Sequence, residues 1–145
     1  MRQVHDAIGA IAREIEPLPS DQAQNPAPQP AFDAVGEAKR LLRAIRAGAL
    51  ATLDEAGRPF ATLVNVATAH DGAPILLMSK LAVHTRNLEA RPQASILLAQ
   101  TGKGDPLAHP RLTVSGDLAR DPDPALRARF LARHPKSQLY ADFAD

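Results

Sequence analysis

The chain has 145 residues, which is the size of a single domain with a hydrophobic core of its own. Its 17 basic and 16 acidic side chains leave a formal charge of +1, so the strong positive field of a dedicated nucleic-acid binder is absent. The sequence contains no cysteine, which excludes disulfides, thiolate metal sites, iron–sulfur clusters and a cysteine nucleophile. Aromatic residues make up 3%, so stacking platforms for single-stranded nucleic acid are not expected.

The sequence also lacks the usual signals for membrane insertion, export and metal binding. No apolar run reaches the roughly 20 residues that a membrane-spanning helix needs, and Met1–Asp6 is not followed by the apolar core of a signal peptide. The histidines do not show the spacing of a metal motif. We therefore expect a cytoplasmic protein without a metal site, with neither a membrane nor a nucleic acid as its partner.

The N-terminal segment is predicted to lie outside the main domain. Apolar residues recur every three or four positions between Val4 and Ile15, which predicts an amphipathic helix. Residues 20–30 are polar and rich in proline, as is typical of a linker. We therefore assign residues 1–31 to an N-terminal helix and linker, and residues 32–145 to the main domain.

The first half of the main domain is predicted to contain one helix and three strands. The helix covers residues 32–47, with Asp33 as its N-cap and Gly48 as its C-cap. The apolar pattern then changes from a helical to a strand-like period. The strands are predicted over residues 49–53, 60–67 and 75–79. Because tight, glycine-containing turns separate them, we expect an antiparallel meander.

The second half alternates helices and strands again. Helices are predicted over residues 81–90 and from Asp121 to Ala132, and strands over residues 94–99 and 111–118. The whole order indicates a mainly β fold with flanking helices (α+β), built as a small antiparallel barrel or a strongly curled sheet. Because five strands rarely close alone, we expect a missing sixth strand or a dimer partner to cover the edge.

One polar segment is placed where phosphate binding is favoured, between the end of an apolar strand and the start of a helix. Backbone amides at a helix N-terminus point outward and attract anions. Hydroxyl, imidazole, guanidinium and amide groups in this segment would complete a phosphate cradle; they belong to Ser79, His84, Thr85, Arg86 and Asn87. The alternative is a solvated helix start that Ser79 or Thr85 caps.

Three runs of sequence carry a resemblance to a known family. They are LLRAIRAGALATL at residues 41–53, LLMSKLAVHTRNL at residues 76–88 and GDPLAHPRLTVSG at residues 104–116. Together they resemble the pyridoxamine 5'-phosphate oxidase-related FMN-binding split barrels, and more narrowly the HugZ-type branch that is associated with haem utilisation. The resemblance covers residues 32–145. It implies an antiparallel split β-barrel, a homodimer, FMN at the dimer interface and a flavin-dependent oxidoreductase role.

The same resemblance implies which residues bind the cofactor. Thr62 matches a position along the flavin, and Ser79 matches the strand-end hydroxyl that meets the FMN phosphate. The basic segment that grips the phosphate is matched by His84, Thr85, Arg86 and Asn87, and a polar residue that reaches the flavin is matched by Arg111. The oxidase proper has an arginine where Thr62 stands here, so oxidation of pyridoxamine phosphate is not expected. The small-molecule substrate stays unidentified, and no catalytic acid or base is assigned.

Two alternatives to a flavoenzyme are left open. The first is a HugZ-type haem-binding protein, which needs a histidine beside an apolar pocket and for which His5, His70 and His84 are candidates. The second is a non-catalytic scaffold whose cofactor site is degenerate. HugZ-type relatives continue past Phe143, so we expect a C-terminally shortened chain. Its barrel would lack a closing strand, or the N-terminal segment or a second subunit would fill the gap.

Overall fold

The fold is described by a computed structural model, which covers residues 31–143. The helices are α1 (Ala34–Ala44), α2 (Val83–Ala90) and α3 (Pro124–Arg133). The strands are β1 (Ala47–Leu53), β2 (Pro59–Asn65), β3 (Ala67–Thr68), β4 (Pro74–Ile75), β5 (Gln93–Ala99) and β6 (Arg111–Asp117), and two 3-10 segments cover Pro106–Ala108 and Pro135–Phe143. The predicted helix over residues 4–15 and the linker over residues 20–30 lie outside the described residues, and the domain boundary after residue 31 stays a prediction.

The main sheet is antiparallel and has the strand order β2-β1-β5-β6. One row of paired residues crosses it, because Leu50 pairs with both Thr62 and Ile96, and Ile96 pairs with Val114. Within the described residues the sheet does not close into a barrel. The predicted class, an antiparallel split-barrel sheet with flanking helices, is confirmed.

The predicted three-stranded meander is wrong in its third member. Residues 74–75 form only the short β4, which pairs with β3 in a separate two-stranded sheet. The pairing of β2 ends where the amide of Val66 donates to the carbonyl of Arg46 at 2.8 Å, and β3, which begins at Ala67, pairs with β4 in the second sheet. The central strand β1 uses its second edge for β5, so the main sheet is completed from the second half of the chain.

The main sheet has one buried and one exposed face. Alternate residues of the strands point to opposite faces, and the inner face contributes Leu50, Ile96 and Leu98 to a core that Val66 and Leu88 complete. On the outer face, Leu63 and Leu97 are 80% and 41% exposed. The helices described between residues 34 and 133 thus leave this outer face uncovered.

The start of α1 is as predicted, but its end is not. The Asp33 carboxylate accepts a hydrogen bond from the amide of Gly36 at 2.9 Å, which confirms Asp33 as the N-cap. The helix ends at Ala44, and the predicted C-cap, Gly48, lies inside β1 instead. A β-carbon on Gly48 would stand 2.8 Å from the carbonyl oxygen of Leu97. Glycine is therefore needed here because β5 approaches closely, not to end a helix.

Helix α3 fastens the C-terminal part of the chain to the rest of the domain. Asp123 caps its N-terminus by accepting from the amide of Ala125 at 2.8 Å, and Pro124 occupies the first turn. The ring of Phe130 is buried and lies 4.9 Å from that of His134, measured between centroids. The Nε2 atom of His134 lies 2.9 Å from the carbonyl oxygen of Val66. These contacts make Phe130 and His134 part of the packing.

Candidate functional site

Two of the predicted site residues, Thr62 and His84, are in contact. The hydroxyl of Thr62 on β2 lies 3.1 Å from Nδ1 of His84 in the first turn of α2. Burial lowers the pKa of His84, which favours its neutral imidazole. Because Nδ1 is engaged by Thr62, Nε2 is the ring nitrogen that a ligand can use; it makes no hydrogen bond to any residue that the structure describes.

A compact turn around Ser79 leads into α2. The hydroxyl of Ser79 accepts a hydrogen bond from the amide of Leu81 at 3.2 Å. The carbonyl of Ser79 accepts from the hydroxyl of Thr85 at 2.7 Å and from the amide of Ala82 at 3.0 Å. These bonds fix Ser79 and Thr85 beside the start of the helix. Neither hydroxyl caps it, so the alternative of a self-capped helix start is not found.

The N-terminus of α2 has no side-chain cap. Its N-cap residue is Ala82, which carries no side-chain acceptor. The first amides of a helix have no acceptor within the helix itself and lie at the positive end of its dipole. This end of α2 therefore has the properties of an anion-binding site, with the Thr62–His84 pair beside it.

Arg86 and Asn87 are neighbours in sequence but have different surroundings. The side chain of Arg86 is exposed, and none of its groups bonds to a described residue. Asn87 is only 6% exposed, and its amide nitrogen donates to the hydroxyl of Thr52 at 3.0 Å. Asn87 thus connects α2 to β1 inside the domain, a role that the sequence did not indicate. The alternation of β1 would have identified Thr52 as an inward-facing residue.

Arg111 stands apart from the other predicted residues within one chain. It opens β6, which lies at the opposite edge of the sheet from β2. It is also three residues from Val114, which shares a face with Thr62, so its side chain lies on the outer face. There the guanidinium donates to the carbonyl of Leu107 at 2.9 Å.

Two further observations concern metal sites and membrane-spanning helices, neither of which the sequence predicts. Across residues 31–143, no group of three or more histidine, aspartate and glutamate side chains is placed to hold a metal ion. No helix in this range combines the length and apolar character needed to cross a bilayer.

The sequence is similar to a known protein family and to a curated protein. A family model described as pyridoxamine 5'-phosphate oxidase matches residues 34–144. The chloroplastic heme oxygenase HOZ of Arabidopsis thaliana is 36% identical over 118 residues, which are 77% of this chain and 35% of HOZ.

Two solved structures are similar in fold and sequence. The protein Atu2129 of Agrobacterium tumefaciens has a TM-score of 0.69 and 40% identity, over 79% of this chain and 52% of that one. A heme binding protein of Mycobacterium smegmatis has a TM-score of 0.69 and 34% identity, over 81% of this chain and 49% of that one. The chain therefore spans about a third of HOZ and about half of each of these two proteins.

Proposed function

Because this chain belongs to the pyridoxamine 5'-phosphate oxidase family, we propose that it binds FMN as a homodimer and acts as a flavin-dependent oxidoreductase on a small molecule. The observation that carries the proposal is the uncapped start of α2, which lies beside the Thr62–His84 contact. A phosphate monoester is the kind of ligand that such a helix start accepts.

The residues of the site have separable roles in this proposal. The first amides of α2 donate hydrogen bonds to the FMN phosphate, and the exposed guanidinium of Arg86 adds a charge-assisted hydrogen bond. Ser79 and Thr85 keep the turn in shape through their bonds to Leu81 and to the Ser79 carbonyl. Thr62 orients His84 through Nδ1, which leaves Nε2 available to the ligand. The bound flavin supplies the redox chemistry.

The outer face of the main sheet supports a dimer. Ala49 pairs with Leu63 on one side and with Leu97 on the other, so an apolar row runs over β2, β1 and β5 on this face. Leu63 is 80% exposed, and a second copy would remove it from water. Arg111 lies on the same face, and the family resemblance assigns it a contact with the flavin.

An FMN titration that is followed by flavin fluorescence, with gel filtration in parallel, tests this proposal. Wild-type protein is expected to bind FMN as a dimer. Arg86→Ala should weaken binding by roughly 1.5–3 kcal/mol because one charged hydrogen bond is lost. Arg58→Ala is the matched control, since Arg58 is exposed and pairs with Asp54 at 2.8 Å. Equal FMN affinity in wild type and Arg86→Ala contradicts the assignment.

The dimer is tested by the substitution Leu63→Glu. A charge at this position should keep the protein monomeric, since it cannot be buried without a partner. If FMN is bound at the dimer interface, the monomer should also lose FMN. A Leu63→Glu protein that stays dimeric removes the outer face as the proposed interface.

A second candidate function is haem binding. Two relatives above are named for heme, and His84 has the neutral imidazole that ligates iron, with Nε2 available. His70 is less suited, because its Nε2 lies 3.3 Å from the guanidinium of Arg129, and His5 is outside the described residues. A Soret band that appears with added haem and is lost in His84→Ala would support this function over FMN binding.

A further inference from the structure

A cleft separate from the cofactor site lies between the end of α1, strand β3 and helix α3. Its volume is about 580 Å³, which is within the range of small-molecule sites. Four arginines line it, together with Thr68. They are Arg43, Arg46, Arg129 and Arg133. None of the predicted FMN-binding residues is part of its wall.

Three of these guanidiniums are held in place by backbone carbonyls. Arg133 donates from Nη2 to the carbonyls of Arg43 at 2.8 Å and of Ala44 at 3.1 Å, in the last turn of α1. Arg46 in turn donates to the carbonyl of Arg133, and Arg129 donates to the carbonyl of Thr68. These three arginines are thereby fixed before any ligand arrives, and each guanidinium has five N–H groups, of which only some are used.

Among the described side chains, the positive charge in this cleft has no matching negative charge. No carboxylate among residues 31–139 pairs with any of the four arginines, whereas Arg40 pairs with Glu37 and Arg58 with Asp54. The cleft therefore carries four positive charges in a chain whose formal charge is +1. Burial and, secondarily, the charge of Arg46 lower the pKa of Arg133. Carbonyl dipoles orient these groups but do not neutralise them.

We propose that this arginine cleft binds a small oxyanion that carries at least two negative charges, such as a polyphosphate or a polycarboxylate. Guanidinium groups bind both kinds of oxyanion through paired, charge-assisted hydrogen bonds. Fixed arginines lose little side-chain entropy when the ligand arrives, which favours binding. The proposal is independent of FMN, because the two sites share no residue.

Calorimetric titration of the full chain with pyrophosphate, and separately with citrate, tests the cleft. The key variant is Arg43→Gln, because the Arg43 side chain is exposed and makes no hydrogen bond to a described residue, so its loss should not disturb folding. Loss of one charged hydrogen bond should weaken binding by about 10-fold or more. Arg58→Gln is the control for a surface arginine outside the cleft. The ligand that binds with the lower Kd shows whether the cleft prefers a polyphosphate or a polycarboxylate.

A second variant separates this cleft from the predicted phosphate cradle of FMN. Arg86→Gln should leave pyrophosphate binding unchanged, while Arg43→Gln should leave the FMN affinity unchanged. The proposal is overturned if neither anion binds at millimolar concentration, or if Arg43→Gln binds as wild type does. It is also overturned if Arg43→Gln and Arg58→Gln weaken binding equally, or if Arg86→Gln alone abolishes it. A thermal melt of each variant confirms that it is folded.

Discussion

The three helices that the structure describes begin in two different ways. Helices α1 and α3 start at aspartates, Asp33 and Asp123, and each carboxylate accepts a hydrogen bond from an amide of the first turn. Helix α2 starts at Ala82 and has no such acceptor, although the hydroxyl of Thr85 is nearby and is bonded to Ser79 instead. Capped helix starts are satisfied within the protein, whereas the start of α2 retains its capacity to bind an anion.

The largest expected effect is that of the substitution Ala82→Asp, which would give α2 the same kind of cap as α1 and α3. A carboxylate at the N-cap would bond to the first-turn amides and repel a phosphate, so FMN affinity should fall by about 2–3 kcal/mol. The same cap should raise the free energy of unfolding of the FMN-free protein by up to about 1 kcal/mol. Fluorescence titration and urea denaturation measure the two quantities. A variant that binds FMN as tightly as wild type would falsify the role of this helix start.

The second prediction concerns Asn87. Because no side chain caps α2, other contacts must stabilise this helix, and Asn87 provides one of them. Its bond to Thr52 is buried, and Asn87→Ala leaves that hydroxyl without its donor, so stability should fall by about 1–3 kcal/mol. A double-mutant cycle with Thr52→Val isolates the contact itself. The folded Asn87→Ala protein should bind FMN with nearly unchanged affinity. A loss of FMN affinity with unchanged stability would instead place Asn87 in the cofactor site.

The contrast also shows which features the sequence could predict. The cap at Asp33 and the helix start after Ala82 could be predicted because both depend on local residue types. The phosphate-binding role of residues 79–88 stays a prediction. The contact of Asn87 with Thr52 could not be predicted, because it depends on which face of α2 is turned toward β1. Two further features depend on the strand order, in which β1 pairs with the distant β5. They are the separation of Arg111 from Thr62 and the absence of a third strand from the meander, and local patterns do not predict either.

Removing the two aspartate caps should have a smaller effect, confined to folding. Asp33→Ala and Asp123→Ala should each lower the free energy of unfolding by about 1 kcal/mol, because a first-turn amide loses its acceptor. Ala82→Gly is the matched control at α2, where no cap bond exists to lose. Chemical denaturation of the three variants measures the difference. A loss of stability in Ala82→Gly equal to that of Asp33→Ala would mean that the loss at Asp33 cannot be assigned to the missing cap bond.

The smallest expected effect is the pH dependence that His84 adds to folding. Burial lowers its pKa in the folded protein below the ordinary value of 6.5, so the unfolded chain takes up a proton at a higher pH than the folded one. Stability from the neutral imidazole is therefore complete above pH 6.5, declines as the pH falls toward the folded pKa and is constant below it. Urea denaturation of wild type and His84→Gln from about pH 8 to about pH 5 tests this. The free energy of unfolding of wild type should fall relative to that of His84→Gln on acidification. If the difference in the free energy of unfolding does not change with pH, the folded protein accommodates the charged imidazole as well as the unfolded chain does. The Thr62–His84 contact would then not depend on the neutral form of His84.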